Sequence, residues 1–511
     1  MSAFKAFVFL ICFYSTLFLI FISFHGLIIE DSGLRKIGFL GEEEIHPQEF
    51  SSGNRMVNSK LHKLHAYEKR LQSILKYFIP LKATQSDRLE YQMPTAKQVL
   101  GDEMLRNWKN SEASYCNGSF VAYAYEFARL RRVILDPSKI FCERHGGERI
   151  QQVLNQTEEA EMMKFSSGFF SIHCHLENAP VKYNFIRKNH LNDYIAALKI
   201  DGEKVEMETI SSQHQSIIKG LQYSQVWERT VFAITRYEYV NLFHTMTDWF
   251  NAFLMMVIFQ IPPDEIDIIF FDAHPVGNLD GVWTTLWTPY YRIGNRTTFH
   301  GPIIFRDLVW VMQGYNSPID TFHLDRIPFI EEFRKFFLIR HGLPVEINGS
   351  SEAPCNNLKV LFIWRRDYVA HPRNPSGHVN RKISNEQELL DTLLSRYGNF
   401  NISGLQLDLL SMRDQLDLVV RTDILVGMHG AGLSHSLFLP THGGLIEFYP
   451  TYWGSSNVHF MKFAQWRKLH YVQWVNEDAG LEINEESGII PPDVLLSLMQ
   501  KMLHMMGCVD Y

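Results

Sequence analysis

The longest apolar feature of the chain comes first. From Ala6 to Ile29 no formally charged residue interrupts a run rich in Phe, Leu and Ile, and a helix of that length crosses the roughly 30 Å hydrocarbon core of a bilayer. No small-residue cleavage site interrupts the run as far as Ile29, so it predicts an uncleaved anchor. Lys5 precedes it and Glu30 and Asp31 follow it, a bias that places residues 1–5 in the cytosol and the remainder across the membrane. Residues 30–100 are charged and mixed, with one helical stripe at Leu61, Leu64, Tyr67, Leu71 and Leu75, and read as a stem.

From 101 onward the pattern is that of an α/β protein. Strand-like runs recur at 230–235, 266–271 and 309–311, and a helix over 241–257 joins the first two as a βαβ unit. A Pro/Asn/Gly/Ser-rich patch marks a linker at 342–357. The alternation then resumes with a strand at 359–364, helices at 385–396 and 412–420, and strands at 424–427 and 445–449. Pro491 and Pro492 open an amphipathic helix in the closing segment 491–511. The expectation is two Rossmann-like domains, 101–341 and 358–490, facing a cleft, with ligands beyond the carboxyl ends of the strands.

Composition narrows this picture. A chain of 511 residues exceeds one ordinary core, and a net charge of −7 offers no polybasic field, which argues against a nucleic-acid partner. Cys12 lies in the apolar run, leaving Cys116, Cys142, Cys174, Cys355 and Cys508 without the close spacing of a zinc site. Structural disulfides are expected, with at least one cysteine outside intramolecular pairs. N-x-S/T sequons at Asn117, Asn155, Asn295, Asn348 and Asn401 suit a lumenal surface.

Candidate chemistry gathers at strand ends. Gly427, Gly430 and Gly432 bracket His429 after a buried apolar run, where glycine lets backbone N–H groups approach a ligand. Ser434 and His435 then begin a helix, whose N-terminus favours an anion. Arg365, Arg366, His371 and Arg373 follow the 359–364 strand, and guanidinium groups grip phosphate in bidentate fashion. Glu447 ends the next strand, where a carboxylate accepts from ribose hydroxyls. In the other half Glu238 follows a strand, Asn241 suits an N-cap, and His244 and Asp248 share a helix face. Glu238, His244 or Asp248 could each act as general base for a sugar hydroxyl; the same residues also suit a capping network. No D-x-D pair is evident, and no metal site is assigned.

Several separated blocks, over about 110–480, agree in order with a known family. Arg236-Tyr-Glu-Tyr-Val-Asn-Leu-Phe-His-Thr-Met-Thr-Asp-Trp249, Phe271-Asp-Ala-His274, Trp283-Thr-Thr-Leu-Trp287, Arg366-Asp-Tyr-Val-Ala-His-Pro-Arg373 and Arg144-His-Gly-Gly-Glu148 resemble glycosyltransferase family 61, most of all the core β-1,2-xylosyltransferases of N-glycan processing. The Gly427-Met-His-Gly-Ala-Gly-Leu433 turn is also similar to the family's lumenal O-linked N-acetylglucosaminyltransferases.

The resemblance implies a GT-B fold, inversion at the anomeric carbon, and transfer of xylose from UDP-xylose to the 2-hydroxyl of the β-linked core mannose of an N-glycan acceptor. It also implies no cofactor or strict metal requirement, and a single-pass type II protein of the Golgi membrane anchored through residues 6–29. The sequence Gly507-Cys-Val-Asp-Tyr511 lacks the K/H-D-E-L signal of the ER-resident relatives. The alternatives are a protein O-linked N-acetylglucosaminyltransferase using UDP-GlcNAc and, from another class, a non-catalytic glycan-binding lumenal module. Oligomeric state is left open.

Overall fold

The computed structural model describes residues 91–508 except 116–117, 125, 167–168, 172–197, 200–224, 346–352, 455 and 485, all within the unit Asp87–Tyr511. The expected anchor and the stem before residue 91 lie outside the described residues. So do Asn117, Asn348, Cys116, Cys174 and the middle of the linker.

The first sheet joins a meander to a parallel core. Strands β1 (Ala113–Tyr115), β2 (Phe120–Tyr123) and β3 (Phe127–Leu135) run antiparallel. β3 then pairs antiparallel with β7 (Ile303–Trp310). Beyond it β7, β4 (Gln225–Ile234), β5 (Ile266–Phe270) and β6 (Tyr290–Arg292) are parallel neighbours in that order.

Between β4 and β5 runs α1 (Leu242–Phe259), which begins where the Asn241 side chain accepts from the backbone of Phe243 at 3.0 Å. It ends at Gln260, whose left-handed φ of 55° breaks the helix. Nearly all of α1 is buried, which explains its all-round apolar character. By length and composition it could cross a membrane, but here it is a core helix.

β7 is much longer than the expected 309–311. Polar residues interrupt its apolar pattern, and Asp307 sits at a register shift, accepting from Arg129 Nε at 2.8 Å and from Thr230 Oγ1 at 2.8 Å. An ion pair spanning strands thus occupies what the pattern reads as a break.

The second sheet is wholly parallel, in the order β9 (Asn401–Leu405), β8 (Lys359–Ile363), β10 (Ile424–Met428), β11 (Gly444–Tyr449), β12 (His470–Val475). Every residue of β10 and β11 is buried, as expected of central parallel strands covered on both faces. Helices α2 (Glu386–Arg396) and α3 (Pro492–Met505) cover one face. Cys355 and Cys508 form a disulfide with Cα atoms 5.4 Å apart, tying the start of this half to its closing helix. Cys142 is a free, partly buried thiol.

Each sheet has its own apolar core. The halves also pack on one another: Phe243 of α1 lies 5.8 Å from Phe463 between ring centroids, and Trp466 Nε1 donates to Leu324 O at 2.9 Å. The carboxyl ends of β4, β5 and β8 feed loops that meet, through Arg373 and Glu238, where the site lies.

Candidate active site

The base of the site is a buried, charge-balanced network. Arg236, just past β4, places Nη2 2.6 Å from Asp272 Oδ1 and Nη1 2.7 Å from Asp280 Oδ1, with its guanidinium 3.8 Å over the Phe270 ring. Arg292 closes the network at 2.5 Å from Asp280 Oδ2 and donates to His274 O at 2.8 Å. Two arginines and two aspartates leave no uncompensated charge, the condition for burying ions at all. Burial pushes the Asp272 carboxyl up, but Arg236 outweighs it and holds the group down to about 2.

The Gly146–Gly147 pair packs against this network. Gly147, with φ +88°, donates to His274 O at 2.9 Å, and a Cβ there would come 3.0 Å from Arg292 Cδ. The blocks at 144–148, 236–249 and 271–274 are therefore parts of one scaffold. Asp272 is consumed within it.

Above the scaffold the two halves exchange charges. Arg373, from the loop after β8, places Nη2 3.1 Å from Glu238 Oε1 and 3.6 Å from Glu161 Oε2, and Nη1 3.2 Å from Glu158. His371 Nε2 lies 2.9 Å from Arg373 Nη2 and 3.7 Å from Glu238 Oε2, and Asn155 N donates to Pro372 O at 2.9 Å. Glu161 is buried and 3.0 Å from His274 Nδ1. The Glu238 side chain is 20% exposed, and burial pushes its carboxyl above the ordinary range against the opposing pull of Arg373. Burial also brings His371 down to about 4, so it is neutral at physiological pH.

The other two base candidates sit differently. His244 is partly exposed, with its ring 5.4 Å from Tyr315 and 6.1 Å from Tyr237, and burial lowers its pKa. Asp248 lies one turn on but is sealed beneath Gly314, with only 2% exposure. Its Oδ2 has no hydrogen-bond partner among the described groups, and burial pushes its carboxyl well above the ordinary range despite Arg236. Helical spacing aligned His244 and Asp248, but only His244 reaches the surface.

On the other side, β10 delivers His429 with Nδ1 2.6 Å from Glu447 Oε1. Glu447 is fully buried, and its Oε2 accepts from Tyr471 OH at 2.7 Å. This corrects the expected ribose contact: both carboxylate oxygens are satisfied inside the sheet, where they fix the ring of His429. A Cβ at Gly430 would lie 1.9 Å from Arg365 Nη1, so the guanidinium rests on the bare backbone of the turn; one at Gly432 would crowd Ile363 Cγ2 at 3.0 Å.

Two further expectations are corrected. Ala431–Phe438 is a 3₁₀ helix in which Ser434 and His435 are buried rather than presented at an open end. His435 Nδ1 lies 2.8 Å from Gly432 O, and burial brings its pKa to about 4. This helix packs against α1, and Ser434 Oγ and His435 Nε2 are buried without a hydrogen-bond partner among the described groups. Arg366, expected at a diphosphate, pairs instead with the Glu386 carboxylate at the start of α2.

Sequence reasoning did not single out Glu161, Arg292 or Tyr471. Glu161 lies in a short 3₁₀ segment, Glu159–Glu161, whose acidic pattern looks like any solvated turn. Among the described residues no group of three or more His, Cys, Asp or Glu is placed to hold a metal ion. Asn155, Asn295 and Asn401 are exposed.

Comparison with known proteins agrees with this geometry. A family model described as Glycosyltransferase 61 matches residues 242–446, from α1 through Ile446 of β11. The chain is 26% identical over 394 residues to a β-1,2-xylosyltransferase of Arabidopsis thaliana, covering 67% of this chain and 72% of that one. It is 26% identical over 364 residues to a β-1,2-xylosyltransferase of Oryza sativa subsp. japonica, covering 66% of each. An EGF domain-specific O-linked N-acetylglucosamine transferase of Canis lupus familiaris is 23% identical over 328 residues, covering 61% of this chain and 55% of that one. The chain thus carries a glycosyltransferase family 61 domain and is a glycosyltransferase.

Proposed function

We propose that the protein is an inverting transferase of GT-B type that moves xylose from UDP-xylose to the 2-hydroxyl of the β-linked core mannose of N-glycans. The observation that carries the reading is Glu238. It is a partly exposed carboxylate with a raised pKa, at the point where the first half meets the arginine loop of the second. Similarity to two plant β-1,2-xylosyltransferases over two thirds of the chain supports the choice of sugar. The parallel core of the first sheet and the wholly parallel second sheet, whose carboxyl-end loops meet at Arg373 and Glu238, support the GT-B arrangement.

In this mechanism Glu238 takes the proton of the acceptor hydroxyl as its oxygen attacks C1 of the donor sugar. The bond from C1 to the diphosphate breaks on the opposite face, inverting the anomeric centre. Negative charge develops on the departing UDP, and Arg365 and the turn at His429–Gly430 stabilise it. Arg373 and His371 position Glu238 and hold the two halves in register. Asp248, sealed beneath Gly314, supports α1 from below.

The protein acts without a bound metal in this reading, because guanidinium groups supply the positive charge at the diphosphate. Chelator should leave turnover unchanged. Residues 6–29 anchor the chain as a type II protein of the Golgi membrane, with Asn117, Asn155, Asn295, Asn348 and Asn401 on its lumenal side. The test is a donor screen with a biantennary N-glycan, scored by product mass. A pentose increment with UDP-xylose is expected. An N-acetylhexosamine increment would move the assignment to the N-acetylglucosaminyl branch, and donor binding without product would favour a binding module.

A further inference from the structure

Beside Glu238 the surface is aromatic. Tyr237 is 38% exposed and Tyr315 49% exposed, and their rings meet with centroids 4.4 Å apart at 66°, forming a corner. The ring of His244, from α1, lies 5.4 Å from that of Tyr315. Exposed aromatics scattered singly need no explanation. These touch one another, in the loops that follow the neighbouring parallel strands β4 and β7.

Both tyrosines stand on rigid backbone. Tyr237 follows Arg236, whose guanidinium is locked in the buried network. Tyr315 follows Gly314, where a Cβ would lie 2.5 Å from Thr247 Oγ1 and 3.0 Å from Asp248 Oδ1, so its absence lets this turn sit close on α1. Rings fixed before binding give up little conformational freedom when a ligand covers them. Tyr237 also lines a cavity of about 30 Å³, with Thr235, Arg236, Glu161, His274 and Gln313 among its other walls. A hydroxyl group fits, since about 10–15 Å³ suffices for a water molecule. Thr235 Oγ1 is buried with no hydrogen-bond partner among the described groups, and a buried hydroxyl left unfilled costs free energy that a ligand hydroxyl would relieve.

A pyranose ring calls for both features. The C–H groups on one of its faces pack on an aromatic ring, while the hydroxyls at its edge need polar partners. We propose that Tyr237 and Tyr315 hold a hexose ring of the acceptor glycan by stacking, and that one of its hydroxyls enters the cavity and bonds to Thr235 Oγ1. The proposal rests on the reading of Glu238 as the base that meets the acceptor. The occupant is a neutral sugar, because the two phenols and the Thr235 hydroxyl carry no charge and the ions around the cavity are already paired, Arg236 with Asp272 and Asp280, and Glu161 with His274.

The full-length protein, saturated with UDP, tests this by calorimetry with a biantennary N-glycan as the probe. Tyr315→Ala and Tyr237→Ala should each weaken the glycan roughly 5- to 10-fold, the scale of one aromatic contact, while Tyr315→Phe, which keeps the ring, should stay within about twofold of wild type. Thr235→Val should weaken the glycan roughly 3- to 10-fold with Tm unchanged or raised, because it removes a buried hydroxyl that has no partner in the fold. UDP affinity should hold within about twofold in every variant.

Glycan affinity within about twofold of wild type in Tyr315→Ala would overturn the stacking role and leave Glu238 as the base, which Glu238→Gln tests separately. Unchanged glycan affinity in Thr235→Val would overturn the hydroxyl contact and leave the cavity to water. A UDP-saturated wild-type protein that neither binds nor modifies the glycan would overturn the acceptor reading on which the aromatic corner depends.

Discussion

Glu238 and Asp248 are both carboxylates whose acidity burial weakens, and access separates them. Because the folded pKa of Asp248 lies above its unfolded value, the folded state holds that proton more tightly. The associated stability is complete below the unfolded pKa and is lost as pH rises through the folded one. Asp248→Asn keeps an acceptor for the Gly314 N–H and removes the ionisable group. It should raise Tm at neutral pH, flatten the pH dependence of Tm, and leave kcat/KM within about fivefold, since removing a sealed group costs less than losing a base. A much larger loss of kcat/KM with an intact fold would return the base assignment to Asp248. Arg373 predicts the opposite kind of shift. It opposes the burial that raises the Glu238 pKa, so Arg373→Ala should move the acidic limb of the kcat/KM profile to higher pH. A limb that stays in place would separate Arg373 from Glu238.

The glycine turn shows how much of a site can be read from sequence. Its strand was legible, because Ile424–Met428 is a continuous apolar run and central parallel strands read that way. The conformation of residues 431–438 was not. A 3₁₀ helix and the first turn of an α-helix share residue types, and only packing against α1 shows that Ser434 and His435 face inward. Glu447 misled for a similar reason: an acid at a strand end looks available until His429 and Tyr471 are seen to occupy both its oxygens. Arg366 and Arg373 are indistinguishable as letters, and their roles separate only through the carboxylates that reach each of them. Gly430→Ala tests the turn itself. The nearest atom to the new methyl is the end of a flexible side chain, so Tm should hold while the Arg365 guanidinium is displaced. Donor KM should rise about tenfold, the effect of roughly 1.4 kcal/mol. An unchanged KM would show that Arg365 does not depend on this contact.

The two sheets have separate cores, and covalent and ionic ties hold their parts in register. The Cys355–Cys508 bridge closes a long loop around the entire second half, with a sequence separation of 153. Cys355→Ser together with Cys508→Ser should therefore cost about 2–4 kcal/mol of stability. Because the bridge is remote from Glu238, kcat at permissive temperature should be retained; a lower Tm by calorimetry with unchanged turnover is the expected result. Across the halves the contact on which the proposed chemistry rests is Arg373 with Glu238, which brings the loops after β4 and β8 to one place. With Glu238 as the proposed base, the most direct measurement is the single-turnover rate of sugar transfer by Glu238→Gln with saturating UDP-xylose and N-glycan acceptor. Loss of general-base catalysis predicts a fall of roughly 10²–10⁴-fold with UDP affinity unchanged; a rate equal to wild type in the folded variant would contradict it.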